Sequence, residues 1–257
     1  MLLTLVGCTG CDNKSDGSPE TVVPPVSGEQ QPTDTNPQDS ESNVPLSAAL
    51  RILPLGDSIT QGDESHRSYR YPLWKMLVDT GVAIDLVGSI DGNFQGDPVW
   101  PDYQGQAFDR DHDGHWGWKA EEVLAEIDDW LTGYIPDVVL MHLGTNDMFK
   151  GDDIDETVTE LQTLVGRLRA KNPHVVVFVA EPIPASYKEN EIESLRNAIA
   201  STLPALSSAE SPLFVVDQAS GFSVDANTYD GVHPNASGEE LMAQKWMDAM
   251  IAAGVLK

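Results

Sequence analysis

The chain is expected to fold as a three-layer α/β/α sandwich around a five-stranded parallel sheet. Three observations lead there: five short runs rich in Val, Ile, Leu and Phe lie within residues 49–257, amphipathic stretches separate them, and no segment repeats. Near-continuous apolar runs suit parallel strands that are covered on both faces. Strands alternating with helices give crossover units that cover a single sheet from both sides.

Taken in order, residues 51–55 form the first strand and residues 71–80 the first long helix. Residues 83–89 give the second strand, 119–131 a helix, and 137–143 the third strand. In the helix expected at 154–170, Val158, Leu161, Val165 and Leu168 recur at three- and four-residue spacing, so one stripe faces a core. The acid-rich residues 151–156 ahead of it supply an N-cap and charges that favour a helix start. Residues 174–180 form the fourth strand, 189–203 a helix and 213–217 the fifth strand. The last helix opens on Ser237-Gly238-Glu239-Glu240, a capping-box pattern, and carries Leu241, Met242, Trp246, Met250 and Ile251. Ligands of such sheets bind beyond the carboxyl ends of the strands, so motifs at those ends carry the most weight.

Composition narrows the function. With 15 Lys+Arg against 41 Asp+Glu the net charge is -26, which disfavours nucleic acid and anionic membrane surfaces as partners. No run of about 18 apolar residues is present to span a bilayer. The two cysteines, Cys8 and Cys11, fall in the first eleven residues and exclude a disulfide-stapled or zinc-ribbon core. Residues 12–48 hold six prolines, seven acids against one lysine and no aromatic, and read as a disordered acidic linker. A charge of -20 remains on residues 49–257, so the exclusion of polyanionic partners applies to the folded domain and not only to the linker. Leu5-Val6-Gly7-Cys8 resembles the bacterial lipobox. That likeness implies a truncated lipoprotein signal over residues 1–11, acylation of Cys8, and a bacterial envelope location, in the outer membrane or secreted.

Three motifs fall at strand ends. Gly56-Asp57-Ser58-Ile59-Thr60 follows the first strand and puts Ser58 on a turn at the sheet edge; taken alone, these are also ordinary turn residues. Gly144-Thr145-Asn146-Asp147 follows the third strand, where the Asn146 amide either donates to a developing oxyanion or caps a helix. In Asp230-Gly231-Val232-His233-Pro234, residues three apart on a turn can converge, so Asp230 can orient the His233 imidazole toward a nucleophile.

In that order the motifs resemble the SGNH (GDSL-type) hydrolases, whose four blocks carry Ser, Gly, Asn and an Asp-x-x-His pair; the resemblance covers roughly residues 51–240. It implies a flavodoxin-like fold with Ser58 as nucleophile, Asp230 and His233 completing a triad, and an oxyanion hole of Ser58, Asn146 and a second-block glycine. In Gly114-His115-Trp116-Gly117-Trp118 the spacing favours Gly117, with Gly114 as the alternative. Lys119 stands where the family often has Thr or Ser two residues on. The Gly-His-x-Gly-Trp phrase and Ser68-Tyr69-Arg70-Tyr71 look like carbohydrate esterase family 3, which implies removal of acetyl groups from plant-type polysaccharide such as xylan. The alternatives are a lipase or thioesterase on acyl esters, and a non-catalytic surface module that binds carbohydrate.

Asp57, His115, Trp116 and Trp118 are the candidate substrate contacts, with Trp100 and Tyr103 nearby; flat aromatic faces suit sugar rings, although aromatics more often serve packing. No cofactor is required. Asp109-Arg110-Asp111-His112-Asp113-Gly114 has the spacing of a calcium loop, making Asp109, Asp111 and Asp113 candidate ligands for a structural Ca²⁺. Ala120 occupies the twelfth position, so the loop is not an EF-hand, and a solvated acidic loop is the other reading. The oligomeric state is left open.

Overall fold

In a computed structural model, which describes residues 48–256, strand β1 (Leu50–Gly56) leads through a single helical turn, α1 (Ser58–Gln61), into α2 (Arg70–Asp79) and β2 (Ile84–Leu86). A two-residue strand, β3 (Asp113–Gly114), precedes α3 (Ala120–Trp130), β4 (Val138–His142), α4 (Thr145–Lys150) and α5 (Ile154–Lys171). Next come β5 (Val176–Glu181), α6 (Glu189–Thr202), β6 (Leu213–Asp217), α7 (Val224–Asn227) and α8 (Ala236–Ala252). The Cys8 anchor, the signal and nearly all of the linker lie outside the described residues.

Every strand pair is parallel, in the order β2-β1-β4-β5-β6. Side chains alternate across the sheet. Leu53, Val139, Met141, Val177 and Val179 join one core with α3, α5 and α6, whereas Ile52, Val138, Leu140, Phe178 and Ala180 join a second core with α2 and α8. The expected three layers are therefore present. Each fully buried Leu or Ile in these cores contributes about 1.5–3 kcal/mol.

The second strand is shorter than expected, and a sixth element replaces its end. β2 pairs only with Leu50, Arg51 and Ile52 of β1. Gly88 then packs on the backbone of His112 so closely that a Cβ would lie 2.2 Å from a carbonyl carbon. The chain turns away, and β3 takes over the same edge of β1, opposite Leu55 and Gly56. The last helix also begins differently: Asn235, not Ser237, is its N-cap, accepting from the Ser237 and Gly238 amides. Glu239 is buried and accepts the Ser68 amide at 2.9 Å, tying α8 to the segment after the first motif. The acid run behaves as anticipated, with Asp153 capping α5 through the Asp155 and Glu156 amides.

Candidate active site

The first motif is set by close approach. A Cβ on Gly56 would lie 2.6 Å from the His142 carbonyl oxygen of the neighbouring strand, so β1 needs glycine where it meets β4. Asp57 then caps α1 by accepting the Ile59 amide at 2.9 Å, and Ser58 stands at the first position of that turn. Behind it, the fully buried Arg70 guanidinium donates to the carbonyls of Thr60, Gln61 and Arg110 and to Asn93 Oδ1, all within 2.8 Å. Burial without a carboxylate partner pushes this arginine down to about 10.

Ser58, His233 and Asp230 meet as anticipated. Ser58 Oγ is 2.9 Å from His233 Nε2, and His233 Nδ1 is 2.7 Å from Asp230 Oδ2. The other Asp230 oxygen accepts the Val232 and His233 amides, so the acid fixes both the turn and the ring. Partial burial raises the Asp230 carboxyl, but these hydrogen bonds outweigh it and hold the acid below its ordinary range. An ionised carboxylate can only accept, so Nδ1 is the donor to Asp230, and in a neutral imidazole this leaves Nε2 to accept from Ser58. Gly231 at φ 90° allows the turn to pass Ser186, whose Oγ a Cβ would approach to 2.3 Å.

The residues expected to serve an oxyanion come from the neighbouring loops. Asn146, on α4 after β4, donates to the Trp118 carbonyl at 3.0 Å, while its contact with Asp57 Oδ2 is long at 3.4 Å; the second amide hydrogen is thus weakly held. Of the two candidate glycines, Gly114 is committed to packing. Its amide donates to His112 Nδ1, and a Cβ there would lie 2.6 Å from the Gln61 nitrogen. Gly117 sits at φ 79° in a turn closed by the Trp118 amide on the His115 carbonyl, with open space around it. Gly117 is therefore the glycine whose amide can serve a ligand. Lys119 forms ion pairs with Glu121 and Asp152.

Four anticipated substrate contacts have other duties. Asp57 has no exposed surface and holds the nucleophile turn instead, so it is not a substrate contact. His115 stacks on Trp118 at 4.4 Å and on Trp130 at 4.6 Å, which uses both His115 and Trp118 for packing. Trp116 stacks on His233 itself, 4.5 Å between centroids. Trp100 and Tyr103 pack against the α2 face, away from this group. The acidic loop is also redirected. Asp109 accepts the Leu86 amide, Asp113 is buried with Ser89 and Tyr134 as donors, and among the described residues no three such side chains converge as metal ligands. Asp109, Asp111 and Asp113 thus do not form the expected calcium set.

Gly62, His66 and Tyr229, not singled out above, also reach the site, where they border a small hollow with Ser58 and His233. A larger hollow, about 900 Å³, lies at the opposite, amino end of β1 beside Arg51 and Asp137.

The profile of the GDSL-like Lipase/Acylhydrolase family matches residues 55–241, from just before Ser58 to beyond His233. The chain belongs to this family. Among solved structures, a carbohydrate esterase family 3 protein from Talaromyces cellulolyticus is 31% identical with a TM-score of 0.70, covering 79% of this chain and 97% of that one. A mutant acetyl esterase crystallised with acetate ion is 30% identical, also at TM-score 0.70, over 79% and 97% of the two chains. A multidomain esterase of Ruminococcus flavefaciens is 28% identical over 222 residues, 77% of this chain; the chain spans only 28% of that protein's length. The described domain is thus an SGNH-type esterase domain of the GDSL-like family, with a parallel-sheet fold shared by its carbohydrate esterase relatives.

Proposed function

We propose that this GDSL-family domain is a serine esterase that removes O-acetyl groups from a plant-type polysaccharide such as acetylated xylan. The hydrogen-bonded run from Ser58 through His233 to Asp230 carries the serine-esterase reading. Likeness to an acetyl esterase and to carbohydrate esterase family 3, and a domain charge of -20 that favours neutral sugars, support the same choice.

In this mechanism His233, oriented by Asp230, takes the Ser58 proton as Oγ attacks the acetyl carbonyl. The oxyanion is stabilised by the Ser58 and Gly117 amides and the Asn146 side chain. His233 then gives the proton to the leaving sugar oxygen, and water attacks the acetyl-enzyme by the same route to release acetate.

Acetate release from acetylated xylan, compared with acetylated mannan, pectin and chitin oligomers, tests the substrate class. Release fastest from xylan is expected. A preference for p-nitrophenyl octanoate over the acetate ester would overturn the reading in favour of a lipase or thioesterase.

A further inference from the structure

The His233 imidazole is the middle member of five near-parallel rings. Phe94 stacks on Trp116 at 4.5 Å and 14°, and Trp116 on His233 at 4.5 Å and 19°. His233 follows Tyr229 at 5.7 Å and 17°, and Tyr229 lies on His66 at 3.7 Å and 9°. The His66 end is anchored by Asp63, which accepts from the Tyr229 hydroxyl at 2.8 Å and meets His66 Nδ1 at 2.9 Å. The rings come from four separate stretches of chain, so their alignment belongs to the tertiary fold and not to the repeat of any one element.

The triad hydrogen bonds alone do not fix this ring. Asp230 at Nδ1 and Ser58 at Nε2 hold the edge of the imidazole, and neither lies against its faces. Turning the ring about its Cβ–Cγ bond carries Nε2 off the line to the serine proton. Flat neighbours oppose that motion, because tilting sacrifices stacking contact on the faces. They also favour the charge that develops in catalysis: once the imidazole has taken the serine proton it is a cation lying within 6 Å of an indole centroid.

We propose that Trp116 is a positioning residue for His233, with Tyr229, pinned by Asp63 and His66, as its counterpart. The proposal rests on the triad reading of Ser58, His233 and Asp230. It assigns Trp116 to the rate of the chemical step and not to sugar binding.

The test is steady-state hydrolysis of p-nitrophenyl acetate by Trp116→Phe and Trp116→Leu, with Ser58→Ala as control and thermal melting of each. Phenylalanine keeps a flat face and should retain kcat within about threefold; leucine fills space without one and should lose about tenfold in kcat, with KM within about twofold. Tyr229→Phe and Tyr229→Leu provide the same comparison at the other neighbour should Trp116→Leu melt early. Leucine variants with kcat within twofold of the unmodified protein, equal losses for phenylalanine and leucine, or a loss confined to KM would each overturn the proposal. Full activity in Ser58→Ala would overturn the triad reading as well, whereas an inactive Ser58→Ala beside an unimpaired Trp116→Leu would overturn the positioning role alone.

Discussion

Asp57 receives the Ile59 amide on one carboxylate oxygen and lies 3.4 Å from the Asn146 amide nitrogen with the other. One buried acid thereby connects the turn bearing Ser58 with the Asn146 side chain, the two groups to which the proposed mechanism gives the nucleophile and an oxyanion donor. Asp57→Asn keeps an acceptor for the cap and should retain more activity than Asp57→Ala. The alanine variant should lose about 1 kcal/mol of stability with the cap, in addition to its loss of turnover. Thermal melting and p-nitrophenyl acetate kinetics on the two variants check this.

The same residue makes stability depend on pH. Burial raises Asp57 to about 7 and its neighbour Asp147 to about 6. Both lie above the ordinary carboxylate value, so the folded protein holds protons that the unfolded chain releases. The resulting stabilisation is complete below about pH 4 and is lost as pH rises toward 7. The melting temperature of Asp57→Asn should therefore change less than that of the unmodified protein between pH 4 and 7.

His142 acts in the opposite sense. Burial at the end of β4 lowers its imidazole to about 4, so it favours the neutral form when folded. Its contribution is complete above the ordinary histidine value and is lost as pH falls from about 6.5 toward 4. His142→Gln, followed by melting across that range, should have a flatter acid limb.

At the oxyanion loops, two substitutions separate a donor from its placement. Asn146→Ala removes a donor outright and should lower kcat by about 10²–10³. Gly117→Ala keeps the amide but puts a side chain at φ 79°, where nothing lies within 4 Å to clash. Only backbone strain of about 1–2 kcal/mol then acts, so turnover should fall while the domain still folds. An Asn146→Ala protein with unchanged kcat would remove that residue from the hole.

Arg70 should tolerate no substitute. Lysine cannot reach the four acceptors that the guanidinium fork holds, leaving buried carbonyls unpaired. Arg70→Lys should lower stability by about 3 kcal/mol or more, measured by urea unfolding.

Long-range order was readable in the chain where it depended on residue type and period. The parallel strands announced themselves through unbroken apolar runs such as Val138–His142, and the triad through motifs that each follow a strand or precede the last helix. Aromatic roles were not readable. Whether Trp116 faces a sugar or an imidazole depends on which loops lie beside it, and neither Phe94 nor Tyr229 is near it in sequence. The acidic loop misled for a related reason: alternate carboxylates converge on an ion only if the backbone curls around them, and here β3 extends the chain so that Asp113 turns inward to Ser89 and Tyr134. The exchange of β2 for β3 along one edge of β1 follows from the Gly88 and His112 contact, which no local pattern encodes.

Three contacts join the two ends of this domain: Ser58 with His233, Asp63 with Tyr229, and Ser68 with Glu239, across 175, 166 and 171 residues. During synthesis, Ser58 therefore leaves the ribosome long before His233. Under the proposed mechanism, a chain that ends before His233 carries an inert serine, and acetate release would report that the whole domain has been made and closed.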